Sequence, residues 1–455
     1  MNDYHQDTIA ALATAVGRGG IGIVRISGPD ALDIAQKLIQ FTPKKRYAHY
    51  CDFYDSKKVK LDQGIALFFE APHSFTGEDV VELQAHGGPV LLDLLLDSIV
   101  SLGGRLAEAG EFSKRAFLNN KLDLIQAEAV SDLINSTSEQ AARSALRSLQ
   151  GDFSHQVNEI VDELIKLRMF VEASIDFPEE EVDFLNDSNV LQRIDSLISK
   201  LDKLIAGANQ GALLTEGMRV VIAGKPNAGK SSLLNALAGK DSAIVTNIEG
   251  TTRDILQEEI NIDGMPLHII DTAGLRESED EVEKIGIDKA WKEIDQADRI
   301  LLVVDASDSG LLTRDFVGSA FVDKLGRGDH ITVVRNKVDM LKEAASLQCD
   351  GPYPIVSISA KSKLGLPILK QHLKDCIGYD SSNEGTFTAR RRHMTALNMA
   401  SEAVNIGRKQ LTEMNAGELL AEELRIAQES LGEITGKFRA DDLLGEIFGS
   451  FCIGK

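Results

Sequence analysis

Apolar residues recur along this chain at two different spacings, and the places where the spacing changes divide it into four blocks. Up to about residue 118 the apolar runs are short. Ile21-Gly-Ile-Val-Arg-Ile26 and Gln63-Gly-Ile-Ala-Leu-Phe-Phe69 predict strands, and Pro89–Leu102 predicts an amphipathic helix. From about Leu118 to Thr215 the step lengthens to three and four residues, as in Ile125–Ile134 and Ile160–Phe170, and few glycines or prolines interrupt it. That spacing predicts helices. Residues 216 to about 378 alternate again: the β-rich runs Arg219–Ala223, Leu267–Ile270, Arg299–Val304 and Ile331–Val334 are separated by helical stretches. Such alternation predicts a mostly parallel sheet covered on both faces, and Asp263-Gly264 predicts a hairpin turn between two neighbouring strands. Beyond the linker Asp380–Gly385 the helical pattern resumes to residue 448.

The expected architecture is therefore multidomain, α/β and α. An N-terminal α+β domain spans 1–118 and the first part of a helical domain 119–215. An inserted domain with a mostly parallel sheet spans 216–378, and the second part of the helical domain 379–455. Three local patterns have an ordinary and a functional reading. Gly17-Arg-Gly-Gly-Ile-Gly22 matches a dinucleotide fingerprint by letter, but a strand follows it where a helix is needed, so a tight glycine turn is the better reading. The acidic run Asp176–Asp183 is a solvated loop or a cation site. Arg390-Arg-Arg-His393 is helix-surface charge or an RNA-phosphate contact.

Composition narrows the class. The 455 residues are 43% hydrophobic and 26% charged, ordinary for a soluble protein of two to four domains. No signal peptide or membrane span is expected: Val90–Val100, among the longest apolar stretches, is broken by Asp93 and Asp97. Cys51, Cys349, Cys376 and Cys452 lie far apart, which argues against zinc and disulfides and for a reducing cytoplasm. The net charge of −21 disfavours a chain that grips RNA alone through phosphates; any such contact is local or shared with a more basic partner.

Five motifs then define a nucleotide site in the third block: Gly224-Lys-Pro-Asn-Ala-Gly-Lys-Ser231, Gly250-Thr-Thr-Arg-Asp254, Asp271-Thr-Ala-Gly274, Asn336-Lys-Val-Asp339 and Ser359-Ala-Lys361. Gly224 and Gly229 let a loop curl so that its N–H groups face the β-phosphate. Lys230 is expected at the β- and γ-phosphates, Ser231 on Mg²⁺, Asp271 on the metal through water, and Gly274 toward the γ-phosphate. Asn336 and Asp339 are expected to read the base, since a carboxylate accepts two N–H bonds from guanine and adenine offers no such pair. The Ala360 N–H is expected on the guanine carbonyl. The full set expected to contact GTP is Asn227, Ala228, Gly229, Lys230, Ser231, Ser232, Thr246, Thr251, Thr252, Asp271, Thr272, Ala273, Gly274, Asn336, Lys337, Asp339, Ser359, Ala360 and Lys361.

Leu275 follows the third motif where small signalling GTPases place a glutamine that orients the attacking water. Leucine can do neither part of that work. Glu283 is a candidate acid, although read from residues alone a solvated helix-face glutamate is the favoured reading. Asn227 offers an oxygen to a monovalent cation, which would supply the charge of an arginine finger.

These residues resemble the family of tRNA-uridine-modifying GTPases called MnmE or TrmE. Its most specific marks lie outside the nucleotide site: Gly110-Glu-Phe-Ser-Lys-Arg-Ala-Phe-Leu118, Lys121-Leu-Asp-Leu124, Gln126-Ala-Glu-Ala129 and the ending Phe451-Cys-Ile-Gly-Lys455. The resemblance covers the whole chain. It implies an N-terminal folate-binding and dimerising domain, and a potassium-stimulated GTPase whose two copies meet across a homodimer. By position it assigns Arg25, Glu82, Lys121 and Lys455 to 5-formyl- or 5,10-methylene-tetrahydrofolate. Asn227, Thr246, Ile248 and Thr251 fall on the potassium ligands, Ser231 and Thr252 on Mg²⁺, and Glu283 on the residue that orients water. Cys452, a buried structural thiol on one reading, becomes a functional thiol near the folate.

What the resemblance implies is a GTP hydrolase that works with a flavin-dependent partner, MnmG, to install a (carboxymethyl)aminomethyl group at C5 of the wobble uridine of tRNA. The folate would supply the carbon, and GTP turnover the motion. A regulatory or ribosome-assembly GTPase acting as a timer is the competing reading; it needs neither the N-terminal domain nor Cys452.

Overall fold

The computed structural model describes residues 7–136, 138–176, 188–224, 227–238, 257–262, 265–271, 297–307, 330–377, 387–437, 447–449, 451 and 454. They form two compact units. One is drawn from Met1–Ser131, Ser148–Asp202 and Thr395–Lys455, the other from Asp132–Arg147 and Lys203–Met394.

The first unit opens on a six-stranded sheet made of β1 (Ile9–Leu12), β2 (Gly19–Ser27), β3 (His49–Tyr54), β4 (Lys60–Phe69), β5 (Val80–Gly87) and β6 (Arg105–Leu106), in the order β3-β4-β5-β2-β1-β6. All pairs are antiparallel except β1 with β6. Alternation along the strands sends Val24, Ile26, Phe53, Ala66, Val81 and Leu83 to one face. There they meet Ile34 and Leu38 of α1 (Ala31–Ile39) and Leu95 and Ile99 of α2 (Pro89–Ser101). Each of the larger of these side chains, fully withdrawn from water, contributes about 1.5–3 kcal/mol. The glycine run does enter a strand: Gly22 lies in β2, where a Cβ would stand 2.5 Å from Leu92 Cδ1, so glycine is what lets α2 pack down.

Helix α3 (Glu111–Leu118) shows what the Gly110–Leu118 motif does. The Glu111 carboxylate accepts from Arg105 at 2.6 Å and from Arg115, one turn on, at 2.9 Å. Arg115 also reaches Asp7 at 2.8 Å and Glu78 at 3.1 Å. Burial works against ionising Glu111 and Asp7, yet the Arg105 and Arg115 guanidiniums hold both carboxyls below their usual range. Then follow α4 (Leu124–Asn135), α5 (Glu139–Gln150), α6 (Asp152–Asp176), α7 (Ser188–Glu216) and, near the end of the chain, α11 (Arg391–Met414) and α12 (Gly417–Thr435). Within this unit α6 packs along α12, with Arg168 donating to Gln428 at 2.8 Å. Helical segments from both flanks of the third block thus share one core.

The second unit holds a seven-stranded sheet: β7 (Met218–Ala223), β8 (Gln257–Ile262), β9 (Met265–Asp271), β10 (Arg299–Asp305), β11 (Ile331–Asn336), β12 (Ser346–Gln348) and β13 (Ile355–Ser357). Its order is β12-β13-β11-β10-β7-β9-β8, with the five inner strands parallel and β8 and β12 antiparallel at the edges. Strand β10 is buried along nearly its whole length, as an inner parallel strand must be. Residues Asp263 and Gly264 are outside the described residues, but the strands on either side pair antiparallel with Ile262 opposite Met265, as a two-residue hairpin requires. Helices α8 (Lys230–Ala238), α9 (Val338–Leu341) and α10 (Leu366–Cys376) belong to this unit, together with the part of α5 up to Arg147 and the part of α7 from Lys203. Arg390 and Arg391 are committed to Asp132 at 2.6 Å and Glu216 at 3.1 Å, so these two cations serve the fold. The acidic run after Asp176 and the Asp380–Gly385 linker are outside the described residues.

Candidate functional site

Strand β7 is flanked by two parallel neighbours, β10 and β9, whose connections leave in opposite directions along the sheet. Ligands of open α/β sheets bind at the carboxyl ends of strands at such a switch point. The loop that leaves β7 there begins at Gly224, with φ of +146°, where a Cβ would lie 2.2 Å from the Val303 carbonyl of β10. It ends at Gly229, with φ of +99°, where a Cβ would lie 2.2 Å from Asn336 Nδ2. Both glycines are required by contact as well as by dihedral. Helix α8 starts at Lys230, so the loop leads directly into a helix N-terminus, a position suited to phosphate. The Lys230 ammonium donates to Gly224 O at 2.8 Å. Ser231, expected on Mg²⁺, is exposed in the first turn of α8, and the backbone of Asp271, opposite Ile222 in β7, ends β9 at the same edge. A hydroxyl and a carboxylate on hard-oxygen chemistry fit that metal.

Asn336 ties the base side together. It is 2% exposed; its Nδ2 donates to Ala228 O at 3.0 Å, and its Oδ1 accepts the N–H groups of Lys337 at 2.8 Å and Ala360 at 2.9 Å. One amide thereby joins the phosphate loop, the end of β11 and the Ser359–Lys361 loop. The Ala360 N–H, expected on a guanine carbonyl, donates to Asn336 Oδ1 in this structure. Asn336 is likewise a brace, with its second Nδ2 hydrogen the one that can face a base. Lys337, at φ +68°, bends its ammonium onto Asn227 O at 2.8 Å and Asp305 Oδ2 at 2.7 Å. The Lys337 bond and those from Ser307 pull the Asp305 carboxyl down to about 2. Asn227 itself stands at φ +64°.

Around this brace is a cavity of about 610 Å³ lined by Gly229, Ser232, Asp339, Ser359 and Lys361, all expected from sequence. Asn235, Ala236, Met340 and Lys363 line it too and were missed. Asn235 lies one helical turn beyond Ser231, and Met340 follows Asp339 directly, so helix period and adjacency were the available signals. Thr246, Ile248, Thr251, Thr252, Thr272, Ala273, Gly274, Leu275 and Glu283 are outside the described residues.

In the first unit Arg25 and Glu82 are cross-strand partners in β2 and β5, on the face opposite α1 and α2. Their side chains pair at 2.8 Å, 22% and 15% exposed. Phe75 and Phe112 lie 5.6 and 5.7 Å from the Arg25 guanidinium. The loop between β4 and β5 that carries Phe75 also receives Lys121, whose ammonium donates to Pro72 O at 3.0 Å. A carboxylate, two cations and two rings therefore converge on one loop, a donor set that fits a pterin with an acidic tail. The chain's end reaches the same unit. Phe448 stacks near Phe117 with centroids 6.2 Å apart, and a Cβ on Gly110 would stand 2.5 Å from Phe448 O. A Cβ on Gly454 would stand 2.1 Å from the carbonyl of Leu12, in β1 beside β2. Cys452 and Lys455 are outside the described residues.

The family described as MnmE helical domain matches residues 124–452, and the one described as GTP-binding protein TrmE N-terminus matches residues 8–121. The chain belongs to the MnmE family. The tRNA modification GTPase MnmE of Marinomonas sp. (strain MWYL1) is 60% identical over 450 residues, covering 99% of this chain and 98% of that protein. Its namesakes from Chromohalobacter salexigens and Proteus mirabilis are 59% and 58% identical, each over 99% of this chain, and covered over 99% and 100% of their own length. Among the described residues, no helix is long and apolar enough to cross a membrane. The marks that carried the resemblance to MnmE are, in this structure, packing devices: the Glu111–Arg115 pair, the Gly110 approach to Phe448, and Gln126, whose side chain accepts the Asp123 N–H at 3.0 Å and donates to Leu149 O at 3.1 Å.

Proposed function

We propose that this chain is a GTP-hydrolysing enzyme of tRNA modification. The observation that carries the reading is the cavity braced by Asn336, in which phosphate loop, base loop and Asp339 surround one nucleotide-sized space at the sheet's switch point. Asp339 confers the preference for guanine, and Lys230, Ser231 and Asp271 hold the triphosphate and Mg²⁺. With Leu275 after Asp271–Gly274, water is oriented by Glu283, and a potassium ion on Asn227, Thr246, Ile248 and Thr251 supplies the missing positive charge.

The one-carbon unit comes from a tetrahydrofolate held by Arg25, Glu82, Lys121 and Lys455, with Cys452 beside it. Two facts support this: the convergence of Arg25, Glu82 and the Phe75 loop, and the seating of Gly454 on β1. Two copies of the chain and a flavin-dependent partner, MnmG, together modify C5 of the wobble uridine in the cytoplasm. Purified chain should hydrolyse GTP and not ATP, and faster in potassium than in sodium. Nucleosides from total tRNA of cells lacking it should lose the C5 modification. Fully modified wobble uridines in such cells would refute the reading and leave the timer.

A further inference from the structure

Residues 44–60 stand apart from the rest of the chain in charge. They hold Lys44, Lys45, Arg46, Lys57, Lys58 and Lys60 against Asp52 and Asp55, a local +4 in a chain of −21. The stretch includes β3, the edge strand of the first unit's sheet, and the turn into β4. All six cations are exposed. Every exposed phenylalanine or tyrosine among the described residues lies in this stretch or three residues before it: Phe41 is 37% exposed, Tyr47 59% and Tyr50 72%.

The surface is built rather than loose. Asp55 Oδ1 accepts the N–H groups of Lys57 at 2.8 Å and Val59 at 2.7 Å, and this turn projects Lys57 and Lys58 at one end of β3. At the other end the Lys44 N–H donates to His49 Nε2 at 2.9 Å, and the His49 ring meets Phe41 at 5.1 Å and Tyr47 at 4.7 Å. Part of the charge is spent inside the fold, since Lys45 pairs with Glu70 at 2.9 Å, Lys60 with Asp52 at 2.7 Å, and Arg46 donates to His73 O at 2.8 Å. Among the described residues no carboxylate pairs with Lys44, Lys57 or Lys58. The two ends are about 20 Å apart along the six residues of β3.

Lysines on an edge strand protect against edge-to-edge pairing, but the six residues of β3 include no lysine or arginine. That role therefore accounts for neither the flanking charge nor the aromatics. An acidic protein surface would satisfy the lysines and leave the rings unused. Single-stranded nucleic acid uses both, phosphates on cations and bases on rings. We propose that this edge is the chain's own contact with an unpaired stretch of its tRNA substrate, with Lys44, Lys57 and Lys58 on phosphates and Tyr47 and Phe41 under bases. It rests on the tRNA reading above and adds to it a place where this acidic chain touches RNA.

The test measures binding of an anticodon stem–loop RNA, and of a fully paired RNA of equal length, to the full chain across a salt series. With Lys44→Ala, Lys57→Ala and Lys58→Ala combined, three phosphate contacts go, at about 0.7 each in the slope of log affinity against log salt. The slope should flatten by about 2, which is roughly a hundredfold in affinity at about 0.1 M salt. Tyr47→Ala should weaken the stem–loop roughly tenfold and leave the paired RNA unchanged. The thermal midpoint and RNA-free GTP hydrolysis of both variants should match the parent chain. Stem–loop affinity within twofold of the parent with an unchanged slope would overturn the proposal. So would intact RNA binding coupled to loss of a protein partner, or a parent chain that binds no RNA at low salt. The tRNA reading itself is judged separately, by the nucleosides of cells lacking the chain.

Discussion

Replacing Asn336 with alanine is the sharpest test of how the nucleotide site is held. The change removes three hydrogen bonds, of 2.8–3.0 Å, and strands the Ala228 carbonyl and the N–H groups of Lys337 and Ala360. Ala228 and Ala360 are 3% and 5% exposed, so their polar groups are withdrawn from bulk water. A stranded buried group costs about 1–3 kcal/mol. The neighbouring cavity admits water to part of the gap, which places the total near the lower end, about 3–4 kcal/mol. If the whole of it falls on the arrangement that binds GTP, affinity drops by two to three orders of magnitude at about 1.4 kcal/mol per tenfold. A fluorescent GTP analogue titrated against Asn336→Ala, with thermal unfolding measured in parallel, divides the loss between binding and stability. Asn336→Asp is the companion variant: it keeps an oxygen for Lys337 and Ala360 but sets a carboxylate against the Ala228 carbonyl. Affinity within threefold of the parent together with an unchanged midpoint in Asn336→Ala would refute the bracing role.

Gly229→Ala should imitate Asn336→Ala, because its Cβ would occupy the place of Nδ2; the double variant should lose far less than the sum of the two. Gly454→Ala should push the chain's end away from Leu12, abolishing tRNA modification in cells while GTP hydrolysis continues at the parent rate. Arg115→Ala should destabilise the first unit by about 3 kcal/mol in a denaturant titration, since it leaves Glu111, Glu78 and Asp7 short of a partner. The Asp7 and Glu111 carboxyls lie below their ordinary 3.8 and 4.5, so their contribution is complete above those values and lost as pH falls through the depressed ones; Arg115→Ala should flatten that acid limb. Burial, with the nearby Arg299 charge, lowers the His372 pKa below 6.5, so the second unit should be fully stable above that pH and weaken as pH falls below it through the depressed value, a loss that His372→Gln should reduce.

How much was legible beforehand depends on whether the signal was local. Strand and helix positions followed from spacing: Pro89–Leu102 became α2, and Arg219–Ala223 became β7 with one residue more. The glycines of the phosphate loop were legible as well, because positive dihedrals and close approach select that residue alone. Less legible was what each partner would be. Ala360 stands in a motif that names the base, yet its N–H is taken by an amide 24 residues earlier in the chain. Arg390 and Arg391 read as helix-surface charge, and Arg391 is exposed, but their partners Asp132 and Glu216, far away in sequence, were not legible.

The sequence by itself determined the periodicities, hence the elements, and the five motifs, hence a phosphate loop and the expectation of a base-reading loop on one domain. These are short-range properties, written in spacings of a few residues. Only the tertiary structure decided the rest: which polar groups satisfy one another, that Asn336 braces three loops, and that Arg25 meets Glu82 across strands 57 residues apart. It also decided that Gly454 is seated on Leu12. A buried donor must find an acceptor wherever the fold brings one, and sequence separation does not enter that requirement.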